Sequence, residues 1–285
     1  MKILSLQDID LQNGDKELIT SGSLEINTGD VILLTGPNGC GKSTLIKAIT
    51  SDTAEYSHLS LNDTKIIYYK DGIEHNVLLN DSESSFFRKN ICYVSQYDEF
   101  ESDIVLDCFE MSLLKFSICN IDKYILDFVL SLHIVDFFNI HVSSKLGFKY
   151  RKLIRKMGLT TDEFSDDERK ALLLLLSNIK KMSGGQKKLV NILTNIIRYE
   201  FCDLLIFDEP LNNLDYNNVR LFSNLLTRIK DIKPDLGIII VSHCRAIPAI
   251  NRVIEIDNHN HCMRELDKYT CSSCFGEIDK NGYYI

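Results

Sequence analysis

The spacing of hydrophobic residues divides the chain into segments with different predicted structure. Short apolar runs separated by turns at residues 13–15 and 28–30 predict a β-rich start, because an Asn-Gly turn between apolar runs is typical of a hairpin. The apolar run at 31–34 predicts a buried strand, and the apolar residues at 45–49 begin a helical pattern. The start of the chain therefore predicts antiparallel strands followed by a strand–loop–helix unit.

Residues 51–90 are polar and irregular. They contain strand-like segments at 66–69 and 77–79, which we place in a small antiparallel β annex. Residues 91–96 predict another strand, which ends in a glutamine.

Helical spacing dominates from residue 98 to residue 182, where 172–179 belongs to a strongly apolar helix, and 187–199 predicts a further helix. Strands and helices then alternate, with the strands predicted at residues 204–207, 237–241 and 252–257. Strands alternating with helices indicate a parallel sheet covered by helices. We therefore expect an α/β fold with a mostly parallel core sheet, an N-terminal antiparallel β annex and a helical subdomain.

Composition restricts the possible surroundings of the protein. The chain has 285 residues, 45% of them apolar, which is ample for a sizeable core. Its net charge of −8 argues against broad binding to nucleic acid or anionic membranes. No apolar run approaches a bilayer span, the first residues lack a signal-peptide core, and nine cysteines fit a reducing compartment with free thiols. We expect a soluble cytoplasmic protein that reaches a membrane only through a partner.

One glycine-rich segment carries the strongest chemical signal. It fits the pattern G-x-x-x-x-G-K-[ST] of a phosphate-binding P-loop and consists of Gly36, Pro37, Asn38, Gly39, Cys40, Gly41, Lys42, Ser43 and Thr44. The glycines let several N–H groups point at one anion, and the following helix N-terminus adds partial positive charge. Lys42 can then reach the β- and γ-phosphates of a nucleotide, and the Ser43 hydroxyl can hold Mg²⁺.

A second signal follows the predicted strand at 204–207, where Asp208 and Glu209 end four apolar residues. In a P-loop ATPase such an aspartate supports Mg²⁺, and the next carboxylate can act as general base on a water. Buried strands often end in acids, so this pair acquires its meaning from the P-loop upstream.

Six motifs occur in a recognisable order along the chain. They are the P-loop, Gln96, the Met-Ser-Gly-Gly-Gln segment at 182–186, residues 204–209, residues 213–215 and His243. In this order they resemble the Walker A loop, Q-loop, signature, Walker B, D-loop and H-loop of an ATP-binding cassette (ABC) ATPase. Any one motif is weak evidence, whereas six in register from about residue 3 to residue 257 are strong.

The resemblance implies ATP and Mg²⁺ as cofactors. Phosphate contacts would come from Lys42, Thr44 and the amides around Gly39 and Gly41. Magnesium contacts would come from Ser43 and Gln96, with Asp208 acting through water. Among the catalytic residues, Glu209 would polarise the attacking water and His243 would sense and orient the γ-phosphate.

The resemblance also implies a dimer. Ser183 and Gly185, in the turn that includes Gly184 and Gln186, would act on ATP bound to the P-loop of another subunit, and Asp215 would tie the two sites together. A serine and a short glycine turn at a helix start form half of an anion site, so ATP would hold two subunits face to face. We expect a homodimer, or a heterodimer with another cassette.

Three departures from the family pattern matter. Residues 11–14, where many members have an aromatic residue that stacks on adenine, contain none. Met182 replaces the usual leucine of the signature, a change that conserves volume. The 87 positions from Gln96 to Ser183 exceed the interval of most transporter cassettes, so we expect an enlarged helical subdomain.

We assign the ATPase core to residues 1–97 and 183–262, the helical subdomain to 98–182 and a C-terminal tail to 263–285.

Two weaker signals remain open at the sequence level. Basic residues between Lys145 and Lys156 could dock on an acidic loop, lipid headgroups or RNA, but acids at 162–168 favour the solvated face of an amphipathic helix. Cys271 and Cys274, with His259, His261 and Cys262 upstream, could bind Zn²⁺, yet a single C-x-x-C is a half-site and free thiols are favoured.

The function that we favour is the ATPase subunit of an ABC transporter, docked on a separately encoded integral membrane permease. One alternative is an ABC ATPase that acts on a ribosome, a DNA end or a cluster-assembly scaffold. Against it, the chain has neither a second cassette nor long coiled coils. Another alternative is a regulatory module with little turnover, against which Glu209 and His243 are intact.

Overall fold

The computed structural model describes residues 1–50, 59–78, 81–96, 100–114, 116–138, 140, 148–157, 164–212, 214–243, 247 and 249–266. The chain forms two compact units. The first contains Met1–Gln96, Tyr199–Asn212 and Lys230–Ile285, and the second contains Tyr97–Arg198 and Asn213–Ile229.

The centre of the first unit is a six-stranded sheet. Its strands are β5 (Val31–Thr35), β9 (Ile91–Val94), β10 (Leu204–Asp208), β11 (Gly237–Val241), β12 (Arg252–Asp257) and β13 (Cys262–Glu265), in the order β13-β12-β5-β11-β10-β9. All neighbours pair in parallel except β12 and β13. Every residue of β5, β10 and β11 is buried, as expected for strands covered on both faces. The carboxyl ends of β5 and β10 consequently lie at one sheet edge, separated by β11.

Two antiparallel sheets complete the strands of this unit. The four-stranded sheet has the order β4-β1-β7-β8 and the three-stranded sheet has the order β3-β2-β6. Their strands are β1 (Lys2–Gln7), β2 (Asp10–Asn13), β3 (Lys16–Ile19), β4 (Leu24–Asn27), β6 (Leu59–Asn62), β7 (Lys65–Lys70) and β8 (Ile73–Asn76). The predicted antiparallel annex is confirmed, and β2 and β3 form the hairpin predicted at the Asn-Gly turn.

Helices α1 (Lys42–Thr50) and α2 (Asp81–Lys89) belong to the first unit. The second unit is helical and contains α3 (Val105–Leu113), α4 (Ile121–Ser131), α5 (Phe148–Lys156), α6 (Asp166–Leu175), α7 (Gly184–Ile196) and most of α8 (Tyr216–Ile232). Its core includes an edge-to-face pair of the Phe109 and Phe128 rings, 6.0 Å apart. Among the described residues, none of the helices has both the length and the apolar composition needed to cross a membrane.

Several predicted boundaries were wrong. Of the strand expected at 77–79, the described residues 77 and 78 form a turn after β8, which ends at Asn76. Residues 81–89 of the annex form a helix. The apolar helix of 172–179 ends at Leu175, and the helix expected at 187–199 is α7, which begins at Gly184 and ends at Ile196. Strand β13 was not predicted, because only its Cys262 and Met263 are apolar and its last two residues are exposed.

Candidate nucleotide-binding site

The loop between β5 and α1 depends on glycine at two close approaches. Gly36 has φ +144°, and a Cβ there would lie 2.5 Å from the carbonyl oxygen of Ile256. Gly41 has φ +105°, and a Cβ there would lie 3.1 Å from Cβ of Leu18. Both φ values lie in the region that side chains rarely adopt. The loop can therefore fold this tightly only with glycine at these positions.

Lys42 is held against the loop from which it emerges. Its side chain is buried, and Nζ donates to the carbonyl oxygens of Gly36 at 2.9 Å and Pro37 at 3.1 Å. The buried Sγ of Cys40 lies 3.9 Å from the same nitrogen. An ammonium group is thus fixed beside backbone N–H groups at the start of α1, which is the arrangement that phosphate requires.

Ser43 and Asp208 bring the P-loop and the end of β10 together. Oγ of Ser43 donates to Oδ1 of Asp208 at 2.9 Å. Burial raises the pKa of the Asp208 carboxyl, and the hydrogen bond from Ser43 opposes that rise. A hydroxyl and a carboxylate are oxygen ligands suited to Mg²⁺, which binds to proteins through one or two carboxylates and substrate phosphates. The residues present therefore fit a magnesium ion.

Glu209 occupies an unusual backbone conformation directly after β10. Its φ is +51°, and its N–H donates to the carbonyl oxygen of Val241 at 2.9 Å. Oε1 lies 3.5 Å from Nε2 of His243, whereas Oε2 is buried and has no hydrogen-bond partner among the described residues. Burial raises the pKa of this carboxyl, and the positive charge of Lys42 opposes the rise. A buried acceptor without a partner is a place for a donor such as a water molecule.

These side chains surround one cavity of about 630 Å³ in the first unit. The predicted residues that line it are Asn38, Gly39, Gly41, Lys42, Ser43, Thr44, Gln96, Glu209 and His243. Gly36, Pro37, Cys40 and Asp208 do not line it but contact Lys42 or Ser43. A volume of this size is typical of a small-molecule site.

Four further residues of the cavity wall are not among the predicted site residues. They are Asn13, Lys16, Leu18 and Asn212. Asn212 adjoins the motif predicted at 213–215, and Asn13 lies in the segment 11–14 where the family resemblance places an adenine contact, so both positions carried a usable signal. Lys16 and Leu18 come from the β2–β3 hairpin, and nothing in their spacing indicates that this hairpin faces the P-loop.

The remaining predicted residues lie in the second unit. Ser183 caps α7: its Oγ accepts from the N–H of Gln186 at 3.3 Å, and its own N–H donates to Oε1 of Gln186 at 3.1 Å. This reciprocal pair is a capping box. Ser183 and Gly184 are exposed, so the start of α7, where the first N–H groups of a helix have no partner within the helix backbone, faces solvent.

Asp215 caps the next helix and lies near the same turn. Its Oδ1 accepts from the N–H of Asn218 at 2.9 Å. The side chain of Asn218 reaches Gly185, where a Cβ would lie 2.4 Å from Nδ2. Asn218 therefore connects Asp215, to which its N–H donates, with the turn that contains Ser183 and Gly185.

A parallel sheet with a strand–glycine loop–helix unit, and with two carboxylates at the end of a nearby strand, defines a P-loop NTPase. The ABC transporter family profile matches residues 19–212, which is more than half of the chain. The chain belongs to the ABC transporter family and is an ATP-binding cassette.

Individual relatives are distant. The zinc import ATP-binding protein ZnuC of Wolbachia pipientis is 22% identical over 280 residues, which cover 97% of this chain and 89% of that protein. The microcin-J25 export ATP-binding/permease protein McjD of Escherichia coli is 28% identical over 242 residues. That match covers 84% of this chain and 33% of McjD, so the chain spans about a third of this relative. A bacterial ABC transporter cassette solved as a dimer has a TM-score of 0.62 at 15% identity, covering 94% of this chain and all of that one.

The weaker sequence signals have different outcomes. The basic segment forms α5, where Lys156 pairs with Glu110 at 2.6 Å and Asp122 at 3.0 Å. Its acidic partners are therefore residues of α3 and α4, whereas the downstream Asp166 and Asp167 pair with Arg169 and Lys170. Lys145, Cys271 and Cys274 lie outside the described residues.

Proposed function

We propose that this chain hydrolyses ATP in a Mg²⁺-dependent reaction, dimerises around the nucleotide and drives a separately encoded transmembrane transporter subunit. The observation that carries the proposal is the cavity lined by Lys42, Ser43 and Glu209. Asp208 is hydrogen-bonded to Ser43, and Oε2 of Glu209 has no partner among the described residues. A cation, oxygen ligands and a base are the groups that phosphoryl transfer to water requires.

Each group has a proposed role. Lys42, Thr44 and the amides of Gly39 and Gly41 bind phosphates. Ser43, Gln96 and Asp208 would hold Mg²⁺, and the ion would supply positive charge to the phosphate oxygens. Glu209 accepts a proton from the water whose oxygen attacks the γ-phosphorus, and the bond to the β-phosphate oxygen breaks to give ADP and phosphate. His243, 3.5 Å from Glu209, orients the γ-phosphate.

The dimer follows from the exposed start of α7. Its Ser183–Gln186 turn presents N–H groups and a hydroxyl with the electrostatics of an anion site, and this turn lies in a unit other than that of the cavity. We propose that it contacts ATP held by a second cassette, identical or homologous, and that Asp215 couples the two sites. The dimeric state of a structurally similar cassette supports this arrangement.

The membrane partner follows from the relatives. ZnuC is an import ATP-binding protein, and McjD carries its permease in the same chain. We propose that this cassette acts at the inner face of the cell membrane through a permease subunit. We propose residues 98–182 as the helical subdomain of this cassette, 1–97 and 183–262 as its ATPase core, and 263–285 as its tail. This functional division differs from the two compact units, in which 183–198 and 213–229 belong to the helical unit.

Two measurements test the proposal. The purified chain should release phosphate from ATP with Mg²⁺ and stop when the metal is chelated, and absence of both binding and hydrolysis would contradict the ATPase assignment. The tagged chain, isolated from native membranes, should recover an integral membrane protein in stoichiometric amount. Recovery with ribosomes or DNA instead would overturn the transport assignment while leaving the ATPase assignment intact.

A further inference from the structure

Two buried cysteines of the first unit have their sulfur atoms in contact. Cys92 is the second residue of β9, and Cys202 lies two positions before β10 begins at Leu204. Their Sγ atoms lie 3.2 Å apart, so that one S–H donates to the other sulfur, and both side chains are fully buried. Both residues are thiols in the structure. The two sulfurs need to approach by about 1.2 Å to reach the bond length of a disulfide.

The backbone around this pair is fixed by hydrogen bonds. The N–H of Asp203 donates to the carbonyl oxygen of Asn90 at 2.8 Å, which ties the residue after Cys202 to the residue before β9. Nζ of Lys233 donates to the carbonyl oxygens of Cys202 at 2.6 Å and Glu200 at 2.8 Å. The fold therefore holds the two thiols next to each other.

The pair also marks the place where the chain passes between the two units. The chain leaves the first unit after Gln96, four positions beyond Cys92, and re-enters it at Tyr199, three positions before Cys202. A bond between the two sulfurs would close a loop of 110 positions that contains residues 97–198 of the second unit. Because a cross-link stabilises mainly by restricting the unfolded chain, and more so for a longer loop, this bond would raise the stability of the protein.

Hydrogen peroxide is an oxidant small enough to reach buried sulfur. The thiolate of one cysteine attacks a peroxide oxygen, the O–O bond breaks, and a sulfenic acid and water form. The second thiol attacks this sulfur, the S–O bond breaks, and a disulfide and a second water form. The two sulfurs give two electrons to the peroxide, and their two protons leave in the waters. Since the second thiol is already in contact, it captures the sulfenic acid before further oxidation.

We propose that Cys92 and Cys202 are a reversible oxidation site, which hydrogen peroxide converts to an intrachain disulfide that stabilises the first unit. Reduction by a dithiol restores the two thiols. The pair lies at the amino ends of β9 and β10, whereas Gln96 and Glu209 of the nucleotide cavity follow the carboxyl ends of these strands. The proposal is therefore independent of the nucleotide site, and failure of either leaves the other intact.

Peptide mapping of the purified full chain, before and after treatment with hydrogen peroxide, tests the proposal. Remaining thiols are alkylated before digestion under non-reducing conditions. The peptide that contains Cys92 should then be linked to the peptide that contains Cys202, and dithiothreitol should release both. Recovery of the two peptides as thiols, as sulfinic or sulfonic acids, or linked to other cysteines would overturn the proposal.

Thermal melting tests the stabilising effect. The oxidised chain should melt about 5 °C or more above the reduced chain, and dithiothreitol should reverse the shift. A linked pair without a rise in melting temperature would overturn the stabilising role of the disulfide.

Substitutions separate this pair from the other cysteines. Cys119→Ser removes an exposed cysteine of the second unit and should keep both the link and the rise in melting temperature. Cys202→Ser removes the second thiol and should abolish both. A similar rise in Cys202→Ser would mean that other cysteines are responsible, and the proposal would fall. Peptide mapping of the parent chain decides the proposal even where this variant does not fold.

Discussion

Ser43 and Asp208 lie 165 positions apart in the chain, and the Oγ of Ser43 donates to Oδ1 of Asp208 at 2.9 Å. Ser43 lies in the helix that follows β5, and Asp208 is the last residue of β10. Strand β11 separates β5 from β10 in the parallel sheet. Folding of the chain therefore brings together, without a bound ligand, the two oxygen atoms that we propose as part of the Mg²⁺ site.

Glu209→Gln should leave ATP binding intact, reduce turnover by about 100-fold or more and trap a dimer with ATP, because the amide cannot accept the proton of the attacking water. Phosphate release and size-exclusion chromatography with ATP measure the two effects. Glu200→Gln is a control at an exposed acid outside the cavity lining. Normal turnover in Glu209→Gln would refute Glu209 as the base.

Lys42→Ala should weaken ATP binding by about 10- to 100-fold, since it removes a charged donor from a buried position. Calorimetric titration of the purified variant measures the loss. Lys89→Ala, at an exposed residue of α2, should bind like the parent chain. An unchanged isotherm for Lys42→Ala would exclude its proposed role.

Ser183→Ala should prevent ATP-dependent dimerisation and also lower stability by about 1 kcal/mol through loss of the cap. Ser165→Ala separates the two effects, because Ser165 forms the same kind of capping box with Glu168 at the start of α6. We expect similar losses of melting temperature in both variants, with dimerisation retained only in Ser165→Ala. Loss of the dimer in both would mean that the cap alone matters.

Gly36→Ala should destabilise the protein by about 2–4 kcal/mol, because its Cβ would meet the backbone oxygen of Ile256 in a strained conformation. Gly184→Ala has open space around its Cβ and should change stability by less than about 1 kcal/mol. Urea denaturation of both variants measures the contrast. Comparable stability of the two would contradict the described loop geometry.

The stability of Glu209→Gln should depend on pH. Burial raises the pKa of Glu209, so the folded state holds its proton more tightly than the unfolded state, and this contribution to stability is lost as pH rises through the raised pKa. The variant lacks that loss and should melt above the parent chain at about pH 7.5 without nucleotide. The difference should shrink as the pH falls below about 4, the ordinary range of a glutamate pKa, because the carboxyl then becomes protonated in both states. A pH-independent difference would contradict the described burial.

The parallel core was predictable because its central strands β5, β10 and β11 are mostly apolar, and every residue of these three strands is buried. Helix α2 and strand β13 were not predictable from apolar spacing. Phe87 is the only residue of α2 that is buried, and β13 has none. Polar elements at the margin of a core leave little periodic signal.

The residues of the candidate site likewise include some that were predictable from the sequence and some that were not. Motif residues such as Lys42 and Glu209 were identified because their chemistry fixes their local spacing. Lys16 and Leu18 were missed because their places on the cavity wall arise from the approach of a hairpin to a loop more than 20 positions away. Contacts of that kind depend on tertiary structure, which leaves no local pattern.

The anchoring of Lys42 on two carbonyl oxygens has a thermodynamic consequence for ligand capture. A lysine side chain that becomes ordered loses up to about 2 kcal/mol of rotamer entropy. Here that ordering occurs when the chain folds, so an arriving phosphate meets a charge that is already immobilised. When phosphate binds, the Lys42 ammonium group exchanges carbonyl oxygens for phosphate oxygens as its acceptors. Its contribution to phosphate affinity is therefore the difference in free energy between these two kinds of hydrogen bond.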